Sequence, residues 1–225
     1  MALPIQGAGG SIAEVGAFAA KGLHTIIKPA DHGSLGHYRV GVSTGTLAAA
    51  LAANAQLLQF KWTDATRFAV ITSIKTQFLT LTRFTAGTIT DFGLDAFIAR
   101  SFAAGGGGTT LTLTGDNAAL RTNMGTSLAQ INVSTTAALT AATTLDAHPF
   151  AQSMGGHGAQ IVPSATIQYA DAPNPLVYEP RMESGEHPLV LAQNEGFVIR
   201  NRAVWPAAGT GIYSFTVQWA EVAAF

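Results

Sequence analysis

Gly41-Val-Ser-Thr-Gly45 fits a motif that carries chemistry. Gly-x-Ser-x-Gly sets a serine nucleophile on a strained strand-to-helix turn above a parallel sheet, with an acid and a histidine arriving later in the chain. A β-prone run, 38–42, precedes Ser43, and an alanine-rich run, 47–53, follows it. The rest of the chain lacks the strand–helix alternation that builds a parallel sheet. With 24 glycines in 225 residues, the match also arises easily by chance. The expectation is therefore a glycine-flanked strand end, and the rival is a hydrolase using Ser43.

Other reactive types are present without a pattern. The six histidines form neither an His-x-His nor an His-Glu-x-x-His pair. His24, Asp31, His32 and His37 fall in one neighbourhood but supply no complete ligand set. Glu183, Glu186 and His187 cluster in what reads as a solvated loop. Two carboxylates facing across a cleft, as a glycosidase requires, cannot be paired among the 13 acids. Gly7, Gly9 and Gly10 do not complete a dinucleotide fingerprint, since no strand precedes them. Asn132-Val-Ser134 spells a glycosylation sequon without a secretory context. No catalytic residue, cofactor or metal is expected. Of three tryptophans, Trp62 and Trp219 lie on apolar strand parities and read as core. Trp205, between Val204 and Pro206, reads as an exposed loop contact for a partner or a glycan.

Only 11% of residues are charged and the net charge is −1, where a soluble domain ordinarily carries about a quarter. A neutral monomer is one reading. The sharper one is that much of the surface is covered by other subunits. Twelve scattered basic residues make no phosphate-binding patch, so no nucleic-acid partner is expected. No apolar run reaches the length of a membrane span, so no membrane partner is expected either. Lys21 follows the first apolar stretch rather than preceding it, unlike a signal peptide. Assembly in the cytoplasm is the expectation. Without cysteine, disulfides and thiolate sites are excluded.

The elements that must position these residues are strands. Tyr213, Phe215, Val217 and Trp219 share one parity, while Ser214, Thr216 and Gln218 share the other, which is the period of a half-buried strand. Phe197 and Ile199 read as its hairpin partner, turning through Pro206, Gly209 and Gly211. Similar short runs appear at 38–42, 57–62, 68–74, 78–82, 92–102, 109–114, 131–133, 165–169, 176–178 and 189–191, with a β-prone run at 23–28. Residues 105–108 read as a glycine loop, 116–121 as a capped helical turn, 134–147 as irregular and 148–164 as a long loop. Strands at this spacing without amphipathic helices predict an all-β fold: an antiparallel β-sandwich, jelly-roll-like. The expected organisation is an extended N-terminal arm over 1–22 and a single sandwich domain over 23–225. On the arm, Leu3, Ile5, Ile12, Val15 and Phe18 are interface candidates, together with Trp205 on the domain. The 103–108 and 148–164 loops are candidate contacts as well.

Three passages stand out: Gln59-Phe-Lys-Trp-Thr-Asp-Ala-Thr-Arg-Phe-Ala-Val-Ile71, Asn123-Met-Gly-Thr-Ser127 through Ala137-Ala-Leu-Thr140, and Asn194-Glu-Gly-Phe-Val-Ile-Arg-Asn201 through Trp219-Ala-Glu-Val222. Together they resemble a family of virion structural proteins of tailed bacteriophages. The first is similar to a Phe-Arg-Trp-x-Asp-x-x-Arg-x-Ala-Val-Ile strand-turn-strand. The likeness covers most of 20–222, and its motifs fix hairpins and core positions rather than a catalytic residue. It implies a non-enzymatic component of a phage particle, with a capsid decoration (cement) protein as the leading expectation. Such a protein would bind the major capsid protein or other virion subunits, as a homotrimer localised in the virion. The alternative is a head-fibre or tail module that binds a receptor or glycan.

Overall fold

The computed structural model describes residues 5–6, 12–13, 36–82, 84, 90–113, 118–120, 124–153, 156–157, 176–181 and 185–223. The chain divides into two compact units, Met1–Asp31 and His32–Phe225. In the first, β1 (Ile5–Gln6) pairs antiparallel with β2 (Ile12–Ala13).

The second unit is built of strands, with no helix among the described residues. They are β3 (His37–Ser43), β4 (Gln56–Trp62), β5 (Phe68–Thr82), β6 (Thr90–Asp91), β7 (Leu94–Gly106), β8 (Thr109–Leu111) and β9 (Ala129–Val133). Then come β10 (Thr140–Leu145), β11 (Ala151–Ser153), β12 (Gly156–His157), β13 (Leu176–Tyr178), β14 (Leu189–Leu191), β15 (Gly196–Asn201) and β16 (Thr210–Val222). One sheet runs β13-β5-β16-β3, with β14 also on β5. The other runs β10-β7-β15-β4-β9-β8, with β11 also on β7, while β6 and β12 form a small separate pair.

The order of these strands is diagnostic. β10 and β11 lie in succession along β7, and β13 and β14 in succession along β5, so each pair counts as one broken strand. The first strand of the sandwich then pairs with the last, the second with the seventh, the third with the sixth and the fourth with the fifth. That nested pairing across two packed antiparallel sheets is a jelly roll. β8 and β9 are an insertion that widens the second sheet beyond β4.

Side-chain alternation fills the space between the sheets. Tyr213, Phe215, Val217 and Trp219 point inward from β16 and meet Leu58, Phe60, Trp62, Phe197 and Ile199 of the opposite sheet. The rings interlock: Phe60 stacks on Phe197 at 5.1 Å, Tyr38 on Trp219 at 5.5 Å, and Phe60 meets Trp219 edge-on at 5.4 Å. Each such ring buries a large apolar area and gains a further increment from its geometry. Trp62 and Trp219 are core residues, as their parities indicate.

The expected C-terminal hairpin does not form. β15 and β16 lie in opposite sheets, and residues 202–209 carry the chain across the end of the sandwich. β15 is apolar on both parities, which suits a central strand. Phe197 and Ile199 face the core, while Val198 packs with Ala99, Phe102 and Leu145 on the outer face. Asn201 anchors the crossing, its amide donating to the carbonyls of Ala52 at 2.9 Å and Ala203 at 2.8 Å. Four further readings are corrected. The Thr/Ala tract contains β10, because β-branched threonine suits an edge beside β7. The long loop contributes β11 and β12. Half of the glycine loop is strand, since β7 continues through Gly106 and turns into β8 at Gly107 and Gly108, with φ of 75° and 66°. The 118–120 stretch bridges Tyr38 through Ala119 instead of turning helically. Residues 23–28 and 165–169 lie outside the described residues.

Gly196 opens β15 where no side chain fits. A Cβ there would stand 1.9 Å from the Phe60 carbonyl oxygen and 3.0 Å from the Phe102 ring. Gly196→Ala is expected to cost about 1–3 kcal/mol, the range for forcing atoms into a packed interior. A lowered urea midpoint with an unchanged denaturant slope would register it.

Candidate interaction surface

Trp205 is not exposed. Only 2% of its surface reaches solvent. Its backbone N–H donates to the Leu51 carbonyl at 2.9 Å, drawing the crossing segment inward. The indole is ringed by Phe84 at 5.4 Å, Phe92 at 5.5 Å, Phe78 at 5.7 Å and Tyr213 at 6.0 Å. The expected partner or glycan contact is thus an aromatic plug at one end of the sandwich, because the apolar wall offered by β5 and β16 outcompetes water for the ring. The Tyr213 hydroxyl donates to the Phe92 carbonyl at 2.6 Å, and burial pushes its pKa far up.

Of the arm candidates, Ile5 stands opposite Ala13, and Ile12 opposite Gln6, in the β1–β2 pair. Leu3, Val15 and Phe18 lie outside the described residues. Ser43 ends β3 on an antiparallel sheet, with its hydroxyl 2.8 Å from that of Ser214. Residues 47–53 form a bridge and turns rather than a helix. Among the described residues no group of three His, Cys, Asp or Glu side chains is placed to hold a metal. His37 lies 2.9 Å from the Gln218 amide nitrogen, and burial followed by the nearby Arg39 lowers its pKa. Glu186 accepts from the Arg181 backbone N–H at 2.8 Å, and His187 is exposed. Asn132 is buried in β9.

Two features escaped the residue-by-residue reading. One is apolar and exposed. Leu79 and Leu81 show 60% and 43% of their surface to solvent on the outer face of β5, and Leu79 stands opposite Ile212 of β16. The alternation in 78–82 was visible in the sequence, but nothing in it told which parity faced out.

The other is a charge cluster at the end of the sandwich where β3 begins and β16 ends. The Arg67 guanidinium donates to Asp64 Oδ2 at 2.5 Å and to Glu221 Oε2 at 2.8 Å. Asp64 Oδ1 also accepts from the Thr66 N–H at 2.7 Å, the Thr66 hydroxyl at 2.8 Å and the Arg67 N–H at 3.2 Å. Burial works to raise the Asp64 carboxyl, but the Thr66 donors and Arg67 outweigh it and hold the pKa at about 2. Glu221 has no exposed surface. Burial pushes its carboxyl above the usual range, against the opposing influence of Ser127, Arg67 and Trp219. The signal was present in the sequence, because Glu221 continues the inward parity of Tyr213 to Trp219.

The strand order thus defines the class, a jelly-roll sandwich with a charge cluster at one end. In comparisons with known proteins, no family model, curated protein or solved structure matches the chain.

Proposed function

We propose that the protein is a non-enzymatic structural component of a bacteriophage particle: a decoration protein that binds the major capsid shell, as a homotrimer, within the virion. The observation that carries this reading is the nested jelly-roll order, an architecture used by viral capsid domains among others. The resemblance of the 59–71, 123–140 and 194–222 passages to virion proteins points the same way. So does a surface poor in charge, with Leu79 and Leu81 exposed on one sheet. Such a surface favours repeated contact with identical neighbours in a symmetric shell, where many weak contacts add through avidity. The glycan-binding alternative used exposed loops and Trp205, and of these the Trp205 ring is buried.

The arm over 1–22 is the proposed docking element. Deleting it is expected to leave a folded sandwich, since residues 32–225 form a compact unit of their own, and to abolish co-sedimentation with capsids prepared without the protein. Full occupancy by the truncated form would refute the role of the arm. Failure of the intact protein to co-sediment would refute the decoration reading itself.

A further inference from the structure

Leu79 and Leu81 lie where β5 outruns the strands on one of its sides. β13 and β14 flank that side only as far as Lys75, and among the described residues no strand pairs with it over 79–82. The other side is held by β16. Leu79 stands opposite Ile212, Thr80 opposite Gly211 and Thr82 opposite Thr210, the last pair joined through their hydroxyls at 2.7 Å. The edge is therefore in strand form before anything binds it, which lowers the ordering cost of a partner.

The backbone of Thr80 faces the open side. The Tyr213 carbonyl accepts from the Thr44 N–H at 2.8 Å, and the Tyr213 N–H donates to the Thr44 hydroxyl at 3.1 Å, so both turn away from β5. The Gly211 carbonyl turns the same way, accepting from the Leu47 N–H at 2.9 Å. Alternation along an antiparallel ladder then turns Ile212 toward Leu79 and directs the N–H and C=O of Thr80 away from β16. Natural sheets blunt such an edge with charge or proline. Thr76-Gln-Phe-Leu-Thr-Leu-Thr82 has neither, and its residue types favour extended pairing.

We propose that this edge takes the same edge of a second copy of the chain, antiparallel about a twofold axis at Thr80, joining the two β5 strands in one continuous sheet. The segment is its own complement. Thr80 exchanges N–H···O=C bonds with Thr80 of the second copy. Leu79 then stands opposite Leu81 of the second copy, and Leu81 opposite Leu79, with Ile212 of each copy alongside. Pairing shields leucines that are 60% and 43% exposed in the single chain, and apolar cross-strand pairs are what stabilise such a ladder. With no charge over 76–82, two identical edges meet without repulsion, while a charged strand would find no counter-charge there. A contact of this kind closes on itself instead of growing into a fibre. It is independent of the decoration reading: a threefold contact elsewhere on the chain would leave it in place, joining trimers in pairs.

Sedimentation equilibrium of the full chain at about 1 mM, enough to fill a contact of submillimolar Kd, tests this against Leu79→Lys, a substitution at an exposed site that the fold tolerates. The unaltered protein is expected to have twice the mass of the variant, whatever other contacts both retain. Disulfide trapping tests the register, since the chain has no cysteine of its own. A mixture of Leu79→Cys and Leu81→Cys is expected to cross-link several-fold faster than either alone, because only the mixture sets two thiols directly opposite, at about 4.5 Å between Cα atoms. Equal masses, which would leave the edge to a strand of another protein or to none, overturn the proposal. So does cross-linking no faster in the mixture.

Discussion

Trp205→Ala is expected to lower the unfolding free energy by about 3–5 kcal/mol, the range for removing a large aromatic side chain from a core. The indole lies among Phe78, Phe84, Phe92 and Tyr213, and these rings come from separate stretches of chain that relax poorly into a void. Gly209 admits the Phe84 ring only because it lacks a Cβ, which would stand 2.4 Å from that ring. Trp205→Phe is expected to cost less. Among the described residues the indole N–H has no hydrogen-bond partner, so phenylalanine gives up volume but no bond. Urea unfolding of the two variants, with midpoints ordered unaltered, Phe, Ala, is the measurement. A stable Trp205→Ala with a binding defect would instead return the ring to the surface.

Arg67→Ala has the second largest expected effect, about 3 kcal/mol at neutral pH, the low end of the range for breaking a buried ion pair. Asp64 and Arg67 lie just beneath the surface, and solvent there screens part of their attraction. Glu221 lies deeper and bears most of the loss, because its charge is left with no counter-ion. The defect is expected to shrink as pH falls from 7.5 to 5, since the orphaned carboxyl can then be neutralised. In the unaltered protein a different limit applies at lower pH. The contribution of Asp64 is complete above its unfolded pKa near 4 and is lost as pH falls toward 2. Urea midpoints at pH 7.5 and 5 check the variant, and a defect of equal size at both values would contradict this account.

Which face β16 buries was legible in the sequence, and which sheet it joins was not. Alternation placed Tyr213, Phe215, Val217 and Trp219 in the core, but parity says nothing of a strand's neighbour. Residues 194–222 therefore read as a hairpin, whereas the chain crosses between sheets. Local composition misled at β10, where Thr140–Leu145 draws its order from pairing with β7 rather than from apolar residues of its own. Trp205 was misjudged for a related reason. Its flanking proline and glycines mark a loop correctly, but they do not reveal that the loop folds down over an apolar wall. Glu221 was readable in principle, as an acid in step with four buried aromatic and aliphatic residues. Its partner Arg67 is 154 positions away, beyond the reach of any local pattern.

The pairing of β3 with β16 has a mechanical consequence. His37 stands opposite Ala220 and Ser43 opposite Ser214, so the strand that enters the sandwich and the strand that leaves it have their outer ends side by side. Tension applied to those two ends would peel the ladder apart rung by rung instead of shearing all rungs together. The first rung to bear the load is the one between Gly36 and Glu221.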